Sequence, residues 1–132
     1  MRRMIRFVDS PPLSNAELNE LFFAAWESWE ARDFQPALRR SIGHVSAYHE
    51  RRLIGFVNVA GDGGLHAFLL DATVHPDFQR RGVGTQLVKE AIRLARAAGA
   101  EFLHVDFEPD LGHFYFDACG FARTDAGLMR LT

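Results

Sequence analysis

The chain has 132 residues, of which 48% are hydrophobic and 24% charged, with a formal net charge of −2. This composition predicts one globular domain over residues 1–132 and excludes a disordered chain or a global basic field for nucleic acid. The single cysteine, Cys119, excludes an internal disulfide and a cysteine-based zinc site. No apolar run is long enough for a signal peptide or a membrane span, so we expect a cytoplasmic protein with no metal, membrane or nucleic-acid partner.

The first half of the chain predicts one strand, two helices and a hairpin. Residues 4–9 alternate like a strand, and Ser14 and Glu17 then have the spacing of a capping box at a helix start. Asp33 is positioned to cap a second, short helix. Two strand-like runs between residues 44 and 60 are separated by a short polar connection, which indicates an antiparallel hairpin.

The second half has the pattern of a strand–helix–strand unit. Residues 65–74 predict a long apolar strand, an amphipathic helix follows from about residue 85, and residues 101–107 predict the next strand. Such a unit makes a parallel, right-handed crossover. A short helix ending at Gly120 and a last strand at 127–132 complete an α/β or α+β sandwich with a mixed sheet.

The turn inside this unit, HPDFQRRGVGTQL, combines glycines with arginines. Gly82 and Gly84 let the backbone approach a ligand closely, and the first amides of the following helix lie unpaired at the positive end of its dipole. Arg80 and Arg81 add positive charge. These features predict a site for a phosphate or pyrophosphate. A plain strand-to-helix turn, with glycines that serve packing, is the alternative that the turn alone leaves open.

Two other phosphate-binding turns match less well. A P-loop needs a lysine after its glycines, and none follows here. A dinucleotide-binding fold needs a third glycine where this chain has Leu87, although Asp106 lies at about the spacing of its acidic residue. The motif also comes late in the chain, beside only one clear βαβ unit.

The pattern that does match is Q/R-x-x-G-x-G/A, present here as Gln79 to Gly84. At this point the chain resembles the GNAT superfamily of N-acetyltransferases. From about Phe68 onward the sequence is similar to that family's strand, turn, helix and next strand, and FYFDACGF, which ends at Phe121, resembles its late Y…GF signature. The resemblance implies a GNAT-like fold: a mixed, mostly antiparallel sheet with one parallel βαβ pair, flanked by about four helices.

The resemblance also implies acetyl-CoA as the co-substrate. The turn would bind the pyrophosphate of coenzyme A through its backbone amides, and the pantetheine arm would run beside the preceding strand like an added strand. The cofactor-binding residues implied in this way are Thr73, Val74, Gln79, Arg80, Arg81, Gly82, Val83, Gly84 and Thr85.

The implied reaction is direct attack of a primary amine, on a small molecule or a peptide, at the thioester. It needs an acid for the departing thiolate, which in this family is a tyrosine shortly before the GF pair. Counting back from Gly120 gives Phe116, whereas counting forward from the preceding strand gives Tyr115. One extra residue between Tyr115 and Gly120 would reconcile the two counts, and we expect Tyr115 to be the general acid.

The base and the acceptor pocket are less defined by the sequence. Asp71 is a candidate base, and a water chain is an alternative; the other candidates are His66, His104 and Asp106. The family forms its acceptor pocket from the first helices and the hairpin, where Trp26, Trp29 and Asp33 would suit a cationic amine. Core packing with a solvated helix face is the other interpretation of these three residues.

Three functions therefore stay open at the level of sequence. The first is an acetyl-CoA-dependent N-acetyltransferase. The second is a non-catalytic sensor or interaction module that uses the same fold to bind CoA or an acyl-CoA. The third is a dinucleotide-binding fragment. Whether the chain also forms a homodimer is left open.

Overall fold

A computed structural model describes residues 4–132, so the first three residues of the expected domain 1–132 lie outside the described residues. The strands are β1 (Ile5–Asp9), β2 (Gly43–His49), β3 (Arg52–Gly61), β4 (His66–Val74) and β5 (Phe102–His104). The helices are α1 (Asn15–Ala25), α2 (Gln35–Arg40), α3 (Val83–Ala97) and a π-helix (His113–Ala118). Short 3₁₀ turns occupy Pro76–Phe78 and Pro109–Leu111.

The five strands form one sheet in the order in which they occur in the chain, β1-β2-β3-β4-β5. Strands β1 to β4 are antiparallel to their neighbours, and β4 and β5 are parallel across the α3 crossover. This arrangement confirms the mixed, mostly antiparallel sheet with one parallel βαβ pair and about four helices. It also confirms the predicted hairpin, which β2 and β3 form.

Helix α1 begins where the capping-box spacing predicts. The Glu17 backbone N–H donates to the Ser14 hydroxyl at 3.1 Å, and the Ser14 backbone N–H donates to the Glu17 carboxylate at 3.0 Å. The two bonds satisfy backbone N–H groups at the start of the helix, which have no acceptor in a preceding turn. Leu13 and Leu18, just before and inside this first turn, are both buried in the same cluster.

Helices cover both faces of the sheet. Successive residues of β3 point to opposite faces, so Phe56 packs with α1 whereas Val57 packs with α3. The larger cluster lies under α3, and its helical members recur along one side of that helix: Val83, Leu87, Val88, Ala91 and Ala95. Burial of this side fixes the position of the first turn of α3 relative to the end of β4.

Two predicted strands differ from the observed structure. β5 spans three residues rather than the seven expected at 101–107, because its pairing with β4 stops at His104. The last strand expected at 127–132 is not formed, and that prediction was wrong for the isolated chain. Leu128, Met129 and Leu131 instead remain 90%, 80% and 88% exposed. Within residues 4–132, no helix is both long enough and apolar enough to cross a membrane.

Candidate functional site

The parallel strands β4 and β5 separate after a short paired section. Their last pair joins Phe68 to His104, yet β4 continues to Val74. Residues 69–74 therefore leave the β5 side of β4 open to a gap. Backbone N–H and C=O groups along such a gap can accept an extended ligand as an added strand.

A β-bulge lies at the edge of this gap. Phe56 of β3 pairs with Thr73 but Asn58 pairs with Leu70, so β4 contains one residue more than β3 between these pairs. Asp71, inside the bulge, has a left-handed backbone with φ of 59°. Aspartate tolerates this conformation better than most residues, because its short side chain can form local hydrogen bonds. The bulge changes the direction of β4 where this strand borders the gap.

Asp71 itself combines exposure with a perturbed carboxyl group. The residue as a whole is exposed, but the protein atoms around its carboxyl displace water and raise its pKa above the usual 3.8. The charge of the nearby Arg32 acts in the opposite direction. A carboxyl group with a raised pKa at the edge of an opening is suited to accept a proton.

Thr73 holds the bulge in place. Its side-chain hydroxyl donates to the Asp71 carbonyl oxygen at 3.0 Å and accepts from the Trp26 indole N–H at 3.1 Å. Thr73 is buried, whereas the Trp26 side chain, at the end of α1, remains 48% exposed. No local sequence pattern indicates this link, which attaches the end of α1 to the bulge in β4.

The glycine–arginine turn begins a helix with free amides. Arg80 and Gly82 both have left-handed backbones, with φ of 63° and 80°. The first bond of α3 runs from the Gln86 N–H to the Gly82 carbonyl at 3.0 Å. The amides of Val83, Gly84 and Thr85 therefore have no acceptor within the helix, and they lie at its positive end.

The side chains of the turn have different surroundings. The guanidinium of Arg81 lies over the Phe78 ring, 5.3 Å from its centroid, and Arg80 is exposed. The Gln79 amide donates to the Val74 carbonyl at 3.1 Å, which fastens the turn to the end of β4. Gln79 therefore stabilises the conformation of the turn.

Gly84 lies at a tight contact between α3 and the π-helix. A Cβ atom at this position would lie 3.3 Å from two ring carbons of Phe114 and 3.7 Å from a Val74 methyl group. The glycine thus has a packing reason as well as the one predicted from the turn. It brings the start of α3, the end of β4 and the π-helix to one place.

Tyr115 lies in the π-helix, whose turns are wider than those of an α-helix. The Cys119 N–H bonds to the Phe114 carbonyl at 2.9 Å, five residues back rather than four. Tyr115 is 6% exposed and its ring stacks on Phe107 at 4.5 Å. Phe116 is only partly buried and lies next to Phe107 in an edge arrangement.

The surroundings of Tyr115 raise the pKa of its hydroxyl. Burial is the main cause that raises its pKa to about 12, and the nearby Cys119 and Asp106 act in the same direction. At neutral pH the phenol therefore retains the proton that a general acid must donate.

Two residues predicted for the acceptor pocket, Trp29 and Asp33, take part in local hydrogen bonds. The Trp29 indole donates to Asn19 at 2.9 Å, and the Asp33 carboxylate accepts from the Asn15 side chain at 2.9 Å and the Gln35 N–H at 3.0 Å. Both hydrogen bonds to Asp33 lower the pKa of its carboxyl group, and the bond from Asn15 has the larger effect.

The two strand histidines form a pair within the paired section of β4 and β5. Their ring nitrogens, Nδ1 of His66 and Nε2 of His104, are 2.7 Å apart. His104 pairs with Phe68, six residues before the end of β4, so the pair lies away from the end of the gap. Within residues 4–132, no group of three or more His, Cys, Asp or Glu side chains could hold a metal ion.

Comparison with known proteins identifies the class. The model of the acetyltransferase (GNAT) family matches residues 11–121, and the chain belongs to this family. The uncharacterized N-acetyltransferase ycf52 of Pyropia yezoensis is 32% identical over 94 residues, which cover 68% of this chain and 54% of that protein. The mycothiol acetyltransferase of Nocardia farcinica is 35% identical over 63 residues, 48% of this chain and 21% of the other. The chain spans about half the length of the curated ycf52 relatives it matches.

Solved structures share the fold. The GNAT-family acetyltransferase SP0256 of Streptococcus pneumoniae has a TM-score of 0.83 with 22% identity, over 98% of each chain. The aminoglycoside acetyltransferase AAC(6')-Iy, in complex with a bisubstrate analog of CoA, has a TM-score of 0.77 with 17% identity, also over 98% of each chain. At these identities the likeness concerns the fold.

The Thr73 hydrogen bonds lead to a first prediction. Thr73→Val keeps the size of the side chain but leaves the Trp26 indole N–H and the Asp71 carbonyl without their partner. We expect a loss of about 1–3 kcal/mol in the free energy of unfolding, measured by denaturant titration. Thr124→Val, at an exposed position, is the control and should change stability little. Equal stability of the two variants would contradict the bracing role of Thr73.

Proposed function

We propose that this chain is an acetyl-CoA-dependent N-acetyltransferase that acts on a primary amine of a small molecule or peptide. The observation that carries the proposal is the gap between β4 and β5, which opens next to the free amides at the start of α3. The start of α3 offers N–H donors for a phosphate, and the gap offers a strand edge for an amide-containing chain. Coenzyme A has both of these parts in one molecule.

In this proposal the turn holds the pyrophosphate. The amides of Val83, Gly84 and Thr85 donate to phosphate oxygens, and the left-handed Gly82 leaves room for the ligand. Arg80 and Arg81 supply positive charge, and Gln79 keeps the turn in position through Val74. AAC(6')-Iy, a neighbour in fold, has been solved in complex with CoA, which supports this ligand.

The pantetheine arm would then follow the open edge of β4 along Thr73 and Val74, with its amides in the place of a strand partner. The acetyl carbonyl would meet a backbone N–H near the bulge. A fixed N–H aimed at the carbonyl oxygen stabilises the negative charge that develops there during attack. The rigid bracing by Thr73 and Trp26 would preserve this geometry.

The chemistry is a direct transfer. The amine nitrogen forms a bond to the acetyl carbon, the carbon–sulfur bond breaks, and the leaving sulfur takes a proton from the Tyr115 hydroxyl. Asp71 is our candidate for the group that removes the proton from the amine. The raised pKa of Asp71 makes its carboxylate more basic, and the Tyr115 phenol is protonated at neutral pH and so carries a proton that it can donate.

The acceptor would enter beside the end of α1. Trp26 is half exposed there and is bonded to Thr73 of β4, so its ring can contact an amine near the gap. Trp29 and Asp33 lie on the segment that follows α1. In this proposal their local hydrogen bonds hold this segment in position beside the acceptor.

Ligand-induced stabilisation followed by an activity assay tests the proposal. Acetyl-CoA and CoA should raise the melting temperature, whereas NAD should not. Release of free thiol from acetyl-CoA should then depend on one or more members of a panel of primary amines. Stabilisation by CoA without amine-dependent thiol release would favour the non-catalytic module, and stabilisation by NAD alone would exclude both interpretations.

Thr85 provides a test of the phosphate site that separates binding from folding. Thr85→Glu adds a negative charge at the third position of α3, where a carboxylate favours the helix but repels a phosphate. We expect the affinity for CoA to fall about tenfold or more while the melting temperature of the free protein is kept. Thr85→Gln is the uncharged control, and calorimetry should show a much smaller loss. Equal affinity in both variants would show that the pyrophosphate binds elsewhere.

The acid role of Tyr115 can be tested by moving its hydroxyl group. Tyr115→Phe should lower kcat by about a hundredfold with little change in CoA affinity, because only proton donation to the thiolate is lost. Adding Phe116→Tyr to this variant places a hydroxyl one residue further along and should not restore turnover. Recovery of kcat in the double variant would show that a hydroxyl at position 116 can also reach the leaving sulfur, and an unchanged kcat in Tyr115→Phe would exclude Tyr115 as the acid.

For Asp71, asparagine is the informative replacement because it also tolerates the left-handed backbone. Asp71→Asn should reduce kcat by about tenfold or more at neutral pH. In the unmodified protein the rate should decline as pH falls through the pKa of Asp71, which is raised above 3.8, because the protonated carboxyl cannot accept a proton. A variant with unchanged kcat and the same acidic decline would exclude Asp71 as the base.

A further inference from the structure

Residues 26–34, which we name the α1–α2 segment, hold Arg32 in a fixed position. The backbone N–H of Arg32 donates to the Asn19 side-chain oxygen at 2.9 Å, and its carbonyl oxygen accepts from the Asn19 side-chain N–H at 2.9 Å. The Arg32 guanidinium lies over the rings of Trp29 and Phe34, 4.7 and 5.6 Å from their centroids. Both the backbone and the side chain of Arg32 are therefore positioned without a ligand.

The positive charge of Arg32 is exposed and has no anionic partner. Across residues 4–132 it forms no ion pair, whereas Arg93 is paired with the carboxylates of Asp9 and Glu90. Burial raises the pKa of the Asp71 carboxyl group and the charge of Arg32 lowers it, so the two groups are close enough to interact. An unpaired cation and a carboxyl group therefore lie near the same opening without contacting each other.

The face of β4 on the α1 side is apolar just before the bulge. Thr73 and Leu70 pair with Phe56 and Asn58, which are two residues apart on β3. Because Phe56 packs with α1, the side chains of Thr73 and Leu70 also point to the α1 side. Phe68 precedes Leu70 by two residues and shares this face, and the two side chains are 45% and 39% exposed. Exposed apolar groups at this place can cover the apolar part of a ligand.

We infer that the acceptor is a free α-amino acid with an apolar side chain. Its carboxylate binds the guanidinium of Arg32, and its amino group lies at Asp71. Its side chain packs on Leu70 and Phe68. A guanidinium suits the first contact because it can donate two parallel N–H bonds to a carboxylate. The inference rests on the proposed function, to which it adds the class of substrate and the residue that selects it.

Other primary amines match these groups less well. A simple alkylamine has no anionic group for Arg32, and the terminal amino group of a peptide is followed by a neutral amide. An α-amino acid carries both charges on one carbon, which matches a cation and a carboxyl group that lie near each other. Asp33, expected from the sequence to receive a cationic amine, instead accepts hydrogen bonds from Asn15 and Gln35.

Binding can be followed through the two tryptophans of the chain, Trp26 and Trp29, since both lie in the α1–α2 segment. With CoA in excess, titration of leucine, methionine or phenylalanine should give a saturable change in tryptophan fluorescence for at least one of them. Arg32→Gln keeps the backbone bonds to Asn19 and should weaken this binding about tenfold or more. Arg39→Gln removes the same charge from an exposed position of α2 and should bind like the unmodified protein. No saturable change with any of the three amino acids, or equal affinity in both variants, would overturn the inference.

Kinetics separates this inference from the proposed reaction. For the amino acid that binds, Arg32→Gln should raise KM about tenfold or more with kcat nearly unchanged, because the carboxylate is held equally in the ground and transition states. The amide of the same amino acid has no carboxylate, so it should be a poor substrate that the substitution does not weaken further. Equal efficiency with the amide and the amino acid would overturn the inference but leave the transferase intact. Binding that depends on Arg32 without thiol release would support the amino-acid site and exclude the proposed reaction.

Discussion

The separation of β4 from β5 after three paired positions is the feature on which the site depends. Backbone N–H and C=O groups in a sheet must be paired with another strand, with water or with a ligand. Because β5 separates from β4 early, a row of backbone N–H and C=O groups on β4 has no strand partner on that side. The bulge at Asp71 then changes the direction of the strand at the same place.

Several separate elements hold this opening in shape. From one face of the sheet, the Trp26 indole at the end of α1 is bonded to Thr73. Around Gly84, the start of α3 packs against Val74 and Phe114, and Phe114 precedes the buried Tyr115. The candidate acid is therefore linked through one ring contact to the candidate phosphate site. A change at Gly84 would disturb both, because any Cβ there meets the Phe114 ring.

The sequence predicted the parts of this arrangement that depend on local pattern. The capping box of α1, the hairpin and the strand–turn–helix–strand unit all have short-range signals, and all are present. The link between Trp26 and Thr73 joins residues 47 positions apart, and no local pattern encodes it. The length of β5 was overestimated because its apolar run continues after the pairing ends. Residues 127–132 were predicted as a strand from their composition, but a strand also needs a partner, and within residues 4–132 no strand pairs with them.

The most direct test of the proposed site is to observe its backbone amides while coenzyme A is added. In a nitrogen–proton correlation spectrum of the labelled protein, the account predicts shifts for the amides of Val83, Gly84 and Thr85 and for those of Thr73 and Val74. The amides of β1, at the opposite edge of the sheet, should stay unchanged. Saturable shifts confined to other parts of the chain, with the α3 and β4 amides unmoved, would contradict the assignment of this site.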